Sequence, residues 1–282
     1  MRLQVQYPSG RLCLQQMMSP DDEHARAVAR WRQAREARLR APGGWLSLVD
    51  RIPLDEGENQ LPIGTVVLRG REARFHPRPD RHVTCDGVPV GERLLRADDG
   101  DGAAADLLLC DGRSYELVFR DEGVAIRIKD PHSPALAAFH GLKFFPIDRR
   151  FRVVGHLERR DGNSRIPGLV QFAIDGRPFS FEATREDARS RLFFAFTDET
   201  NRDDTYPGGR YLYAELPAGD QATEVILDFN TAFNPPCAFT PFVVCPVPPA
   251  RNHLPVRIPA GERRYDDEAT ALPTDVHAAT ED

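Results

Sequence analysis

Two polar blocks in the C-terminal half carry the residue types that could do chemistry. The first runs Asp198-Glu199-Thr200-Asn201-Arg202-Asp203-Asp204-Thr205-Tyr206-Pro207-Gly208-Gly209-Arg210-Tyr211 and the second Asp228-Phe229-Asn230-Thr231-Ala232-Phe233-Asn234-Pro235-Pro236-Cys237. They mix a guanidinium, carboxylates, carboxamides that donate and accept, phenols, and glycines that let a ligand approach the backbone. That mixture suits a small polar or anionic metabolite. Asp204, Tyr206 and Asp228 are the candidate catalytic residues, a carboxylate as base and the phenol as proton donor in a hydrolase- or lyase-like reaction without a redox cofactor. Asp198, Asn201, Arg210, Tyr211, Asn230 and Asn234 are the candidate ligand-binding residues. Arg210 follows the Pro207-Gly208-Gly209 turn and opens a strand, where its fork could take a carboxylate or phosphate.

Structural readings compete with these. Arg210 could hold the two blocks together through an ion pair with Asp198, Asp203, Asp204 or Asp228. Asp198, Asp204 and Asp228 could take a hard divalent cation, but residues 198–204 lack the glycine placement and terminal glutamate of an EF-hand loop, and Asp and Asn side chains also serve turns. Asn230, Asn234 and Asn252 could orient a substrate or start turns. Cys237, Cys245 and His253, spaced by eight, are the alternative metal set, and Cys237 could act as a nucleophile with His253 or His156 as base. No Cys-x-x-Cys pair supports zinc, and no cofactor is expected. A non-catalytic reading makes the blocks structural and uses the proline-rich stretch 235–259 as an interaction or scaffolding surface.

The elements that must position these residues read as mostly β, in two antiparallel sandwich- or barrel-like modules preceded by one surface helix. Ser19-Pro20-Asp21-Asp22-Glu23 starts a helix with a hydroxyl cap, proline and acidic first turn, and it should run from about Pro20 to Arg40, before Pro42-Gly43-Gly44. Val28, Trp31, Ala34 and Leu39 give it a narrow apolar stripe. Residues 1–44 are thus an arm and helix. Residues 45–135 are short alternating runs with Asp86-Gly87 and Asp111-Gly112 turns, a compact sandwich of six to eight strands. That segment superficially resembles a forkhead-associated sandwich through Ile63-Gly64 and the Cys85-Asp86-Gly87 turn. Thr65 stands where that family carries Arg, and no Ser-x-x-His follows, so phosphopeptide binding is not expected. Residues 136–265 form the second β module, with Phe139 to Phe145 contributing a buried aromatic strand and six strand candidates between Phe151 and Phe229. Residues 266–282 read as a disordered acidic tail.

The first block from Phe196 onward, the second through Phe239, and then Cys245-Pro246-Val247-Pro248-Pro249, Asn252 and Ala260-Gly261-Glu262 resemble the bacterial and archaeal domain of unknown function 1684 (DUF1684). The resemblance covers about residues 40 to 265 and is firmest at the end; Trp45-Leu46-Ser47-Leu48 and Glu56-Gly57-Glu58-Asn59 extend it. It implies that the polar blocks are the family's signature and carries no activity. Phe233 stands where Tyr is expected, and Asn201-Arg202 replaces a smaller turn.

Composition bounds the rest. The 282 residues hold 16 Phe, 24 Pro and 21 Gly with 41% hydrophobic content, enough for cores joined by many turns. A net charge of −6 and a pI of 5.8 lack the basic face of a nucleic-acid binder. No stretch approaches the length of a membrane span and no signal peptide is evident, so a cytoplasmic protein without membrane or nucleic-acid partners, compatible with a homodimer, is expected. The basic residues other than histidine are arginines except Lys129 and Lys143. Five cysteines at irregular spacing, Cys13, Cys85, Cys110, Cys237 and Cys245, read as free thiols.

Overall fold

The computed structural model describes residues 19–99, 104–120, 123–159, 168–186, 191–219 and 223–265. The N-terminal arm with Cys13 and the tail expected to be disordered lie outside them. Helix α1 spans Pro20–Arg40, as its capping chemistry predicts: the Ser19 hydroxyl accepts from the Asp22 amide at 3.1 Å, and three carboxylates face the positive end of the dipole.

The first β region comprises β1 (Leu48–Leu54), β2 (Gly57–Leu61), β3 (Gly64–Arg69), β4 (Glu72–Pro77), β5 (Thr84–Cys85), β6 (Val88–Pro89), β7 (Arg93–Leu94), β8 (Leu107–Cys110), β9 (Arg113–Arg120) and β10 (Gly123–Lys129). Among the described residues, ten strands stand where six to eight are expected, the excess being the two-residue strands β5, β6 and β7. They form a sheet ordered β1-β10-β9-β8-β5-β6 and a second ordered β2-β3-β4-β7. Alternating side chains such as Val66, Phe75, Leu108, Leu117 and Ile126 share one apolar core. Both predicted Asp-Gly turns close hairpins with the two positive φ angles of a type I′ turn, 52° and 76° at Asp86-Gly87 and 50° and 77° at Asp111-Gly112.

A short helix α2 (Pro134–Ala138) follows. The aromatic stretch after it is not the strand expected. Phe139 and Phe145 are buried, but in strand pairing Phe144 makes only one bridge, to Glu262, and the Leu142 amide bonds the Glu36 carboxylate at 2.9 Å instead of a strand partner.

The second β region holds β11 (Arg152–Arg159), β12 (Gly168–Ile174), β13 (Arg177–Glu186), β14 (Arg191–Asp198), β15 (Arg210–Glu215), β16 (Glu224–Asp228) and β17 (His253–Leu254). The sheet runs β15-β14-β13-β12-β11-β16, and its two end strands come to lie side by side, so it curls into a nearly closed barrel. The rings of Phe172, Phe181, Phe194, Phe196 and Phe229 fill it, with centroids between 4.9 and 6.1 Å apart. Short β17 pairs parallel with β14.

Helix α1 lies against the seam between β15 and β16. Its inward stripe keeps Val28, Trp31 and Leu39 of the predicted one, but Ala34 is exposed and His24 and Arg35 complete the face at helical spacing. Arg35 donates Nε to Glu262 Oε1 at 2.8 Å and Nη2 to the Asn234 carbonyl at 2.9 Å, and its guanidinium lies over Phe233 at 4.7 Å. The Asn234 amide completes the fully buried Glu262 through Oε2 at 2.8 Å. Leu39, Leu46, Phe139 and Phe239 then join the helix to both β regions. Among the described residues no helix is long and apolar enough to cross a membrane.

Replacing Arg35 with Ala leaves the Glu262 carboxylate buried without its cation. The expected outcome is a loss of about 3–5 kcal/mol in urea unfolding, the range for breaking one side of a buried pair, and a loss below ~1 kcal/mol would contradict the role given to this contact.

Candidate functional site

Most of the first block is consumed by the fold. Asp198 ends β14 and caps the next turn, its Oδ1 accepting from the amides of Thr200 at 2.8 Å and Ile258 at 3.2 Å. Its Oδ2 takes Arg210 Nη2 at 2.5 Å, and both side chains are wholly inaccessible. Arg210 spends its other bonds on the carbonyls of Ala260 at 2.5 Å and Ile258 at 2.9 Å, and lies over Phe196. Asn201 closes the capping turn: its Oδ1 accepts from the Asp198 amide at 2.6 Å, and its Nδ2 donates to Thr205 and to the Tyr206 carbonyl. Asp198, Asn201 and Arg210 are therefore brought together as an internal knot with no surface to offer a ligand.

The remaining candidates are dispersed. Asp204 accepts from Arg257 at 2.7 Å and Arg263 at 2.5 Å on the surface. Tyr206 and Tyr211 point at the segment of Cys237 and Cys245, the Tyr211 hydroxyl donating to the Pro246 carbonyl at 3.2 Å; burial above all raises both phenols, so each stays protonated at neutral pH. Asn230 ties Asp148 to Asp228 through four hydrogen bonds of 2.9 to 3.1 Å, and Asn234 Nδ2 donates to the Arg263 carbonyl at 2.8 Å while its Oδ1 is buried without a partner. Asn252 stitches β13 to β14 by donating to the Glu182 and Ala195 carbonyls, both at 3.0 Å. The catalytic set Asp204, Tyr206 and Asp228 thus occupies three separate places. Cys237 and Cys245 meet, but His253 bonds Thr197 at 3.0 Å instead of joining them, and His156 stands on β11 opposite Glu224. Among the described residues no three His, Cys, Asp or Glu side chains cluster as metal ligands.

Of the predicted catalytic residues, Asp228 lines the cleft beside the helix. A cavity of about 840 Å³ opens between α1 and the barrel seam, lined by His24 and Trp31 of the helix, Arg152 of β11, Arg191 of β14, Tyr213 and Glu215 of β15, Glu224 and Asp228 of β16, and Phe233. The polar ends of the two seam strands and the helix face it together. His24 Nε2 meets Asp228 Oδ2 at 2.6 Å, with the His24 side chain 9% and the Asp228 side chain 18% exposed. Nε2 faces the carboxylate, and the other ring nitrogen, Nδ1, is buried without a partner. Asp228 Oδ1 is fixed by the amide and side chain of Asn230.

Charge in the cleft is of both signs. Arg191 stands opposite Glu215 across β14 and β15 and stacks over Tyr213 at 4.0 Å; Arg149 pairs with Asp21. Arg152 stands opposite Asp228 in the ladder, is exposed, and makes no ion pair among the described residues. Deeper along the helix, burial pulls the Arg32 guanidinium down from its usual value, with Asp228 and Glu262 opposing, while Nη2 bonds the Phe145 carbonyl at 2.9 Å. Sequence reasoning missed His24, Trp31, Arg152 and Arg191 as a set because they come from three elements far apart in the chain. The one available signal was the stripe His24, Val28, Trp31, Arg35, Leu39, which places two basic side chains on the buried side of α1.

The family model described as "Protein of unknown function (DUF1684)" matches residues 137–263. No curated protein matches the chain. Among solved structures, the solution NMR structure of an uncharacterized protein of Haloarcula marismortui is 31% identical, with 48% of this chain and 82% of that one covered and a TM-score of 0.41.

Arg210→Ala tests the knot. The expected outcome is a fall of about 3–5 kcal/mol in stability by chemical denaturation, from an Asp198 left buried and unpaired; a variant as stable as wild type would remove the structural assignment.

Proposed function

The chain belongs to the DUF1684 family, and we propose that it binds a small polar metabolite carrying a carboxylate or phosphate in the cleft between α1 and the barrel seam. The observation that carries this reading is the meeting, in one cavity, of an uncommitted arginine, Arg152, with a buried histidine–aspartate pair whose Nδ1 lacks a partner. A built cavity that leaves a buried ring nitrogen unmet is a place where a ligand group completes the hydrogen bonding.

Arg152 takes the anionic group, its planar fork matching a carboxylate or phosphate bidentately. Trp31, Tyr213 and Phe233 cover the apolar part of the ligand. The carboxylates Glu215 and Glu224 favour a ligand that also presents hydrogen-bond donors or a positive group, and they disfavour a bare polyanion. Proton transfer to or from the ligand, in a cofactor-independent hydrolysis or elimination, would run through Asp228 with His24 behind it, since these are the cleft groups already joined by a short hydrogen bond.

Isothermal titration of the purified protein with a panel of dicarboxylates, phosphate esters and amino acids tests the reading. Saturable binding of at least one anionic compound is expected, weakened about 10- to 100-fold in Arg152→Ala, as for a lost hydrogen bond to a charged group. Because Arg152 is exposed, unfolding of that variant should shift by less than about 0.5 kcal/mol. Equal binding by variant and wild type, or no binding across the panel, would overturn it.

A further inference from the structure

A second feature of the signature blocks remains outside the cleft. Cys237 lies in a one-turn helix over Pro236–Ala238, and Cys245 comes back to it eight residues later, its Sγ accepting from the Cys237 amide at 3.2 Å. Two phenols frame them: Tyr206 directs its hydroxyl to the Cys237 carbonyl at 3.5 Å, and Tyr211 directs its own to the carbonyl of Pro246, next to Cys245, at 3.2 Å. Both cysteines are half-buried and free, whereas Cys85 and Cys110 are fully buried in the first β core.

We propose that Cys237 and Cys245 form a reversible dithiol–disulfide couple that exchanges with small-molecule disulfides, Cys237 being the attacking sulfur and Cys245 the resolving one. The sulfur of Cys245 already stands within one side chain's reach of Cys237, so closing the bond calls for no movement of the barrel. The hydrogen bond with Cys245 brings the Cys237 thiol down to about 7, burial opposing and the Tyr206 hydroxyl adding to the fall, while the same bond and burial push Cys245 up. The first proton lost by the pair therefore leaves the thiolate on Cys237, the species that attacks a disulfide.

The step balances as follows. The Cys237 thiolate attacks one sulfur of the small disulfide, the S–S bond breaks, and one small thiolate leaves. Cys245 passes its proton to that leaving thiolate and attacks the Cys237 sulfur of the mixed disulfide, expelling the second small molecule, which leaves as a thiol after taking a proton from solvent. Two protein thiols are oxidised and one small disulfide is reduced to two thiols. The bond closes a loop whose Phe239 packs with Leu39, Phe139 and Tyr265 and whose Thr240 hydroxyl donates to the Leu48 carbonyl at 3.2 Å. That loop touches α1 and the first β region, so oxidation clips the contact between them.

The test equilibrates the full chain, with Cys13 changed to Ser, in graded mixtures of reduced and oxidised glutathione, followed by acid quench, alkylation and mass mapping. A Cys237–Cys245 disulfide that forms and reverses with the glutathione ratio is expected, with Cys85 and Cys110 remaining alkylatable after unfolding. In Cys245→Ser, glutathione should accumulate on Cys237 as a mixed disulfide, and in Cys237→Ser neither product should form. On the wild type, iodoacetamide labelling of Cys237 should rise with pH through about 7. Absence of the disulfide at the most oxidising ratio in the folded wild type would overturn the proposal, as would glutathione remaining on Cys237 while Cys245 is free. Wild-type mapping decides even if a variant fails to fold, and neither arm depends on the cleft.

Discussion

Glu262 is a carboxylate with no access to water, and much of the architecture can be traced to how its charge is answered. Removing an ion from water costs several kcal/mol unless neighbours restore its bonds. Here the cation comes from α1 through Arg35, and the second donor is the backbone of Asn234 in the second polar block. The chain reaches this point through Gly261 at φ 82°, where a Cβ would meet the Ala232 carbonyl oxygen at 2.4 Å, so no other residue passes there without displacing the backbone. Arg35 in turn sets its guanidinium over the rings of Phe233 and Phe239. Helix, second block and C-terminal segment are fastened at one place, and the wall of the cleft is set by it.

The Asp198–Arg210 pair solves a different problem with the same chemistry. Residues 252–262 run irregularly across the end of the barrel, and Leu254, Ile258 and Ala260 fill its core. Irregular backbone in a core has carbonyls and amides with no ladder to satisfy them. Arg210 supplies donors to the carbonyls of Ile258 and Ala260, Asp198 supplies an acceptor to the Ile258 amide, and Asn252 does the equivalent between β13 and β14. The density of charged and amide side chains in the first block follows from this need. A polar block can be rich in site-like residues because the backbone it holds is buried.

That distinction explains what the sequence revealed and what it hid. Helix α1, the Asp-Gly hairpins and the barrel strands were legible because local capping, φ > 0 turn chemistry and period-two alternation are written in neighbouring residues. Phe139 to Phe145 misled because burial of its rings resembles a strand, while its backbone makes one isolated bridge to Glu262 and gives the Leu142 amide to a side chain, Glu36. The polar blocks were legible as important, and the alternative of an internal Arg210–Asp198 pair was visible, but composition alone does not tell a ligand site from a backbone clasp. Asp228 was named from the second block; its partner His24 lies 204 positions away and becomes visible only once α1 is known to cross the seam.

The cleft and the thiol pair share one aromatic wall. Tyr213 and Phe233 line the cleft and stack on each other at 5.6 Å, and Phe233 meets the edge of Tyr211 at 5.9 Å. The Tyr211 hydroxyl in turn donates to the carbonyl of Pro246, next to Cys245. Contiguity of this kind is not coupling, which needs an element with two arrangements that both sites bias. The loop between Cys237 and Cys245 has two covalent arrangements in the proposed couple, and its Phe239 lies under the guanidinium of Arg35, which also covers Phe233 at the cleft wall. Any influence of the thiols on the cleft has its shortest packed route through Arg35, whose position Glu262 fixes. A rigid buried ion pair at that junction favours a cleft that keeps its shape in both redox states, and it leaves the contact between α1 and the first β region as the part free to respond.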